Sequence, residues 1–343
     1  MGGEQELTDL VRSGQVRDPV FRSGSLPDEV YRVLMELDAP PGLSLKAQLY
    51  YRARPYIPLN LRWRLQQASR PKSLPPDWFV TTSLLDAYRD AGVDLETGAA
   101  NSLWPEDKRF AVVLTHDVET AAGVAMIDEV SSIEESLGFR SSWNFVPQAY
   151  RVETPMLADL RRRGFEVGVH GLNHDGCLYS SRHEFARRAG EINTWLKEWG
   201  ALGFRSPQVH RNLGWLQDLE IEYDSSCFDV DPLQPMPGGC GSPWPFEVGR
   251  FVEIPYTLPQ DHVLYIVLKE KTNDIWKRKT EWLVKHSGMV CLITHPDYLA
   301  DPSVLDLYRD FLEYLATLRG GWNILPQELA RYWRQRSVPG GSS

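Results

Sequence analysis

Cysteine is scarce in this chain: four in 343 residues, Cys177, Cys227, Cys240 and Cys291, with no CxxC pair among them. That excludes a zinc-finger reading. An even count in a chain this long is weak ground for disulfides, so buried thiols in a reducing compartment are expected. Long apolar runs are missing too. No stretch approaches the roughly 20 residues of a spanning helix, and residues 1–15 lack the apolar centre of a signal peptide. A cytoplasmic protein is the expectation. Positive charge is in deficit, 37 Lys and Arg against 46 Asp and Glu, for a net charge of −9. This disfavours a general nucleic-acid binder while leaving room for a local basic patch. Low complexity is absent, and 42% hydrophobic with 24% charged residues is the composition of a globular protein.

What is present falls into two regimes that meet near Trp104. Residues 1–104 read as a helical extension, with helices over Asp28–Leu37, Leu45–Arg54, Asn60–Ala68 and Thr82–Ala91 interrupted by prolines 40, 41, 55, 58, 75 and 76. Residues 105–336 alternate Val/Ile/Phe-rich runs with amphipathic segments, the pattern of repeated β-α units. Strands are expected over Phe110–Leu114, Ser142–Val146, Phe165–Val169, Phe251–Tyr256 and Met289–Thr294. Helices are expected over Gly123–Leu137, Thr154–Arg163, Arg182–Trp199, Asn273–Lys285 and Ser303–Leu318. That order suits a barrel or a doubly wound sheet, and periodicity does not choose between them. Residues 337–343 read as a disordered Gly/Ser tail.

The chemistry-bearing residues follow the strands. His170 and His174 stand four apart directly after one, so both imidazoles can face a single ion on a helical turn. Taken alone, the spacing also fits two unrelated surface histidines. The run Ala111–Leu114 leads into Thr115-His116-Asp117-Val118-Glu119, which places carboxylates at a strand C-terminus, where open sheets and barrels gather their active sites. The same residues could also open a loop and cap the next helix. Two further polar groups follow short apolar runs, Arg205-Ser206-Pro207-Gln208 and Leu292-Ile293-Thr294-His295. An arginine beside a carboxylate keeps it ionised, and a histidine can protonate a leaving amine.

In this order the segments resemble the polysaccharide deacetylase family, the NodB-like carbohydrate esterases, over roughly residues 108–326. Thr115 to Glu119 looks like the TFDD motif with Glu in place of its second Asp, His170 to His174 like the HxxxH metal motif, and Arg205 to Gln208 like RxPx. Tyr223 to Ser226 resembles the segment after it, and Leu292 to His295 the final LxxH. The resemblance implies an α/β fold, a distorted (β/α) barrel of the NodB type, behind the N-terminal helical extension. It also implies a divalent metal, usually zinc, held by Glu119, His170 and His174. Asp117 would be the general base, Arg205 would orient it, the Gln208 backbone N–H would help hold the oxyanion, and His295 would be the general acid. Two departures stand out: Glu119 is one methylene longer than the usual aspartate, and Gly171 replaces a common Ser or Thr.

The implied activity is hydrolysis of an N-acetyl group on a sugar or glycan, and the missing export signal makes cytoplasmic biosynthesis of a surface polysaccharide or lipid-linked glycan the expected setting. Rival readings are a metal-dependent hydrolase of a non-sugar C–N bond, such as a formamide or cyclic ureide, and a silent carbohydrate-binding protein of the same fold. Between Ser44 and Lys72 stand Lys46, Arg52, Arg54, Arg62, Arg64, Arg70 and Lys72 with no acidic residue. Such a segment could lie on an anionic membrane or meet a diphosphate-linked glycan carrier, or be a solvated helix packed on the barrel by its apolar side. Trp215 and Trp244 lie in loop-like sequence as candidates for sugar stacking, and Gly238–Pro245 reads as a long surface loop near the site.

Overall fold

The barrel is built around one long strand, β2 (Phe110–Val118), all nine residues of which are buried. The computed structural model describes residues 103–105, 107–234 and 239–337, with pieces before them at 16–17, 35, 45, 49–50, 53–68 and 78–79. The helices anticipated at 28–37 (Met35 apart) and 82–91, and residues 338–343, lie outside the described residues. The remaining strands are β1 (Val16–Arg17), β3 (Ser141–Phe145), β4 (Glu166–His170), β5 (Gly203–Arg205), β6 (Tyr223–Asp224), β7 (Phe246–Val248), β8 (Phe251–Glu253), β9 (Met289–Thr294) and β10 (Gly321–Asn323). The order is β9-β2-β3-β4-β5-β6-β8-β7-β1, with β10 beside the start of β2. Pairing is parallel throughout, except that β7 runs antiparallel to β8 and β1 antiparallel to β7.

No regular ladder joins β8 to β9. Instead the chain after β8 crosses to it: the Thr257 and Leu258 amides both donate to the Cys291 carbonyl, at 3.0 and 3.1 Å. The Thr257 hydroxyl accepts from the Cys291 amide and donates to the Met289 carbonyl. The sheet thereby curls into the expected distorted barrel, choosing between the two topologies that periodicity left open.

β2 runs four residues past the expected Leu114, because its polar residues have partners on both faces. His116 turns to the helical layer, where Nε2 lies 2.8 Å from Glu134 Oε1, Nδ1 lies 2.7 Å from Thr294 Oγ1, and the ring packs on Trp143. Asp117, its neighbour, points the other way. Outside the sheet pack α2 (Ile127–Ser136), α3 (Thr154–Arg162), α4 (Arg182–Trp199), α5 (Asp274–Lys285), α6 (Pro302–Thr317) and α7 (Pro326–Ser337), after α1 (Leu59–Ala68) in the extension. Helix α4 has the expected bounds, since Ser181 caps the Glu184 amide and Gly200, at φ +58°, ends the helix left-handed. The helix expected over Gly123–Leu137 is broken at Met126, leaving a short turn at Ala121–Ala125 ahead of α2.

Three expectations are corrected. Trp215 is not a groove residue: it is buried, stacked 6.0 Å from Tyr179 and packed on Phe185. Trp244 is fully buried, its indole donating to the Ser287 carbonyl at 2.8 Å. Residues 240–245 are buried rather than a surface loop. The Cys240 and Gly241 amides donate to the carbonyls of Phe228 and Asp229, and the Pro243 carbonyl accepts from Met289, so this stretch is held like a strand against the barrel. Gly and Pro marked a change of direction, and the apolar side chains around them decided burial. Cys227, Cys240 and Cys291 are buried, as expected, and Cys177 is half-buried.

Candidate metal and catalytic site

Strand C-termini bring the polar residues together. Parallel register sets Asp117 beside Asn144 and His170 beside Arg205, while β9 ends at Thr294 and delivers His295. One ligand atom from each of Glu119, His170 and His174 lies within 4.8 Å of the other two.

The local structure shows why these three face one point. His170 Nδ1 lies 3.1 Å from the Arg205 carbonyl, which can only accept, so the proton sits on Nδ1. Nε2 is left buried with no hydrogen-bond partner and with its lone pair available. Burial pulls this imidazole down to about 4, against the opposing pull of Asp117, so it is neutral near pH 7, the form that ligates metals. The loop to His174 is clamped by Arg188, which donates to both Asp175 carboxylate oxygens at 2.8 Å and to Asn173 Oδ1 at 3.1 Å. Gly171 is needed in that loop: its φ is +64°, and a Cβ there would sit 2.2 Å from Pro207 Cγ. The departure from Ser or Thr therefore has a steric cause within this chain.

Glu119 Oε1 lies 2.9 Å from His174 Nε2. Burial would raise its pKa, but His174, then His295 and His170, together hold the carboxylate well below its usual range. Its backbone is pinned by Asp297, whose Oδ2 accepts from the Glu119 amide at 3.0 Å and whose Oδ1 accepts from the Thr120 hydroxyl. The buried, unpartnered Nε2 of His170, the His174 imidazole and the ionised Glu119 carboxylate, with one atom of each within 4.8 Å of the others, fit a divalent cation.

Asp117 lies beside this group, Oδ2 3.9 Å from His170 Nε2. Its nearest donor is Asn144 Nδ2, 3.0 Å from Oδ1, while Arg205 Nε stands 3.9 Å from the same oxygen. Burial opposes ionisation, yet His170, Arg205 and His295 together hold Asp117 below the ordinary carboxylate value. Arg205 is itself buried, its Nη2 donating to Thr115 Oγ1 at 2.9 Å and Ser225 Oγ at 3.1 Å. On the other side His295 Nε2 is 3.8 Å from Glu119 Oε1, and its Nδ1 is 2.6 Å from Asp261 Oδ1. Burial would lower the His295 pKa, but Asp261 at contact distance, then Glu119 and Asp117, push it up to about 10. This imidazole is a cation at neutral pH.

Gln208 adopts φ +54°, and its side-chain amide lies 3.0 Å from His174 Nδ1 and 3.2 Å from the His174 carbonyl. Three of the six non-glycine residues with positive φ among the described residues, His174, Gln208 and Val209, are gathered here. Backbone held in sparsely populated regions is a feature of functional loops. All seven residues singled out from the sequence thus meet in one place. Three others were missed: Asn144, a polar residue between Trp143 and Phe145 in β3; Asp297, two residues past His295; and Asp261, which carries no signal in the sequence.

The fold that positions these groups is a NodB-type distorted barrel, the fold of polysaccharide deacetylases. No family model matches the sequence, and no curated protein matches it. Among solved structures, one similar to this chain is a Mycobacterium smegmatis protein assigned to the polysaccharide deacetylases, at 15% identity and TM-score 0.54, covering 70% of this chain and 95% of that one. Another is Puue allantoinase, at 16% identity and TM-score 0.53, covering 73% and 98%. A Pseudomonas aeruginosa PAO1 protein, also assigned to the polysaccharide deacetylases, aligns at 15% identity and TM-score 0.51, covering 68% and 93%. At these identities the likeness is one of fold.

Proposed function

We propose that this chain is a metal-dependent hydrolase that removes an N-acetyl group from a sugar or glycan. The observation that carries the reading is the convergence of Glu119, His170 and His174 within 4.8 Å, with Asp117 Oδ2 3.9 Å from His170 Nε2 and His295 Nε2 3.8 Å from Glu119 Oε1. A binding module needs no such pairing of an ionised acid with a charged imidazole across a ligand set.

Glu119, His170 and His174 would hold the cation, with zinc the first candidate. Bound there, it would activate water and polarise the amide carbonyl. Asp117, kept ionised by its cationic neighbours, would take the proton from the attacking water. Asn144 and Arg205 would fix its carboxylate, and the Gln208 backbone N–H would face the developing oxyanion. His295 would hand its proton to the departing nitrogen, and Asp261 would hold its ring. The test is acetate release from N-acetylhexosamine oligosaccharides by the full chain before and after chelation. Release that chelation abolishes and zinc restores supports the reading, and a metal-loaded chain that releases no acetate from any such donor overturns it.

A second reading is favoured by the likeness to Puue allantoinase: the same groups hydrolysing a C–N bond of a cyclic ureide. Ring opening of allantoin without acetate release from sugars would select it.

A further inference from the structure

Tyr298 stands beside His295 with a hydroxyl that the fold does not use. It lies in the single turn Pro296–Leu299 that follows His295. Its ring centroid is 5.5 Å from that of His295, edge-on, and 5.2 Å from that of His262, which stacks on it. His262 opens the π-helix His262–Leu268 directly after Asp261, and the same helix supports α1, whose Gln67 Nε2 donates to the Val267 carbonyl.

The turn is tied to two of the site's groups. The Tyr298 amide donates to the His295 carbonyl at 2.8 Å, and the neighbouring Asp297 carboxylate accepts from the Glu119 amide. Gly123 leaves room for that carboxylate, since a Cβ there would stand 2.4 Å from Asp297 Oδ2. The phenol is thus presented from a fixed backbone by a ring packed on two imidazoles, which lowers the entropy that a ligand contact costs.

Other tyrosine hydroxyls around the site are already engaged. Tyr150 donates to the Val118 carbonyl and accepts from the Val146 amide, Tyr179 meets Ser206, and Tyr308 donates to Glu134. The Tyr298 hydroxyl has no hydrogen-bond partner among the described residues, and it is not sealed from solvent, the residue being half-buried. Burial, then the Glu119, Asp261 and Asp297 carboxylates, hold this phenol well above its ordinary value against the pull of Arg54, so it stays a neutral donor.

In the proposed hydrolysis His295 faces the departing nitrogen, which belongs to the sugar, while the acetyl carbonyl lies toward the ion. A donor packed on His295 therefore meets the sugar. We propose that the Tyr298 hydroxyl is a specificity-determining contact, donating a hydrogen bond to a hydroxyl of the sugar that carries the leaving nitrogen. This rests on the reading of the site as a sugar N-deacetylase. A donor held in place for a substrate hydroxyl disfavours analogues that lack it.

The experiment compares the zinc-loaded full chain with Tyr298→Phe in acetate release from N-acetylhexosamine oligosaccharides and in calorimetric binding of the deacetylated oligosaccharides. KM and Kd should rise together by about 2- to 10-fold, the loss of one neutral hydrogen bond, with the effect in KM rather than kcat. The melting temperature should not change, because the hydroxyl has no partner within the fold. Unchanged KM and Kd in a chain that does release acetate overturn this contact alone. So does a loss confined to kcat, which would show Tyr298 acting through His295. A wild-type chain that neither binds the oligosaccharides nor releases acetate from them overturns the sugar reading and this contact with it.

Discussion

Asn144 Nδ2 donates to Asp117 Oδ1 at 3.0 Å, closer than the Arg205 guanidinium, whose Nε is 3.9 Å from the same oxygen. The orienting group for the candidate base is therefore a neutral amide on the adjacent strand, and Arg205 acts mainly through its charge. Gly168, beside Asn144 on β4, leaves room for that amide, since a Cβ there would stand 2.1 Å from Asn144 Oδ1. Removing one charge-assisted hydrogen bond costs about 1.5–3 kcal/mol, or roughly 10- to 100-fold in rate. Asn144→Ala is expected to lower kcat by that factor, with KM and metal content near wild type. Steady-state kinetics with metal analysis on the same preparation checks this.

Arg188→Ala is expected to loosen the His174 loop without touching the ligand set. Losing a group that orients a metal ligand typically costs about 10- to 100-fold in metal affinity, and competition with a chromogenic chelator would read the loss. A variant with unchanged affinity would show that His174 is positioned by other contacts.

Gly171→Ser restores the more common residue of the resembled motif, yet here it should do harm. The added side chain meets Pro207 at a backbone φ of +64°, and overpacking together with a left-handed backbone costs about 2–4 kcal/mol. Denaturant titration should show a lower midpoint together with weaker metal binding.

The His295 pKa of about 10 lies above the ordinary value of 6.5. Stability from its pairing with Asp261 is thus fully present below pH 6.5 and is lost as pH rises through 10. The acid form persists through neutrality, so the basic limb of the kcat profile should fall near pH 10. Asp261→Asn removes the main stabiliser of the cation, and the limb should move toward neutral pH.

Burial lifts Glu166, at the start of β4, to about 7. Between 4.5 and 7 the folded chain holds a proton that the unfolded chain has released, so this residue makes stability decline as pH rises through that window. Glu166→Gln should flatten the decline and leave the variant more stable than wild type at pH 8, by something on the order of 3 kcal/mol. Urea melts at pH 5 and 8 would measure the difference.

How far the sequence could be read depended on the length of each signal. β2, β9 and α4 were legible because period or caps repeat over many residues. β5 and β6, three and two residues long, show no period at all, and their place is fixed by pairing with neighbours. The candidate site was legible where a polar group ends an apolar run, as at Asp117, His170 and His295. Asp261 was not, because it reaches His295 across 34 residues of chain. Trp215 and Trp244 were misjudged because turn-forming neighbours suggested loops, whereas their rings had an aromatic cluster and a buried carbonyl to fill. In α1 the helix was anticipated within one residue, but the face it turns inward is set by the π-helix it rests on.

The claim on which the rest depends is that Glu119, His170 and His174 share one ion. The most direct measurement is zinc titration of the metal-stripped full chain by calorimetry, alongside His170→Ala and Glu119→Ala. One ion per wild-type chain, bound far more weakly by both variants at unchanged fold, is the predicted result. Stoichiometric binding that survives both substitutions, or a wild-type chain that takes up no metal, would contradict it.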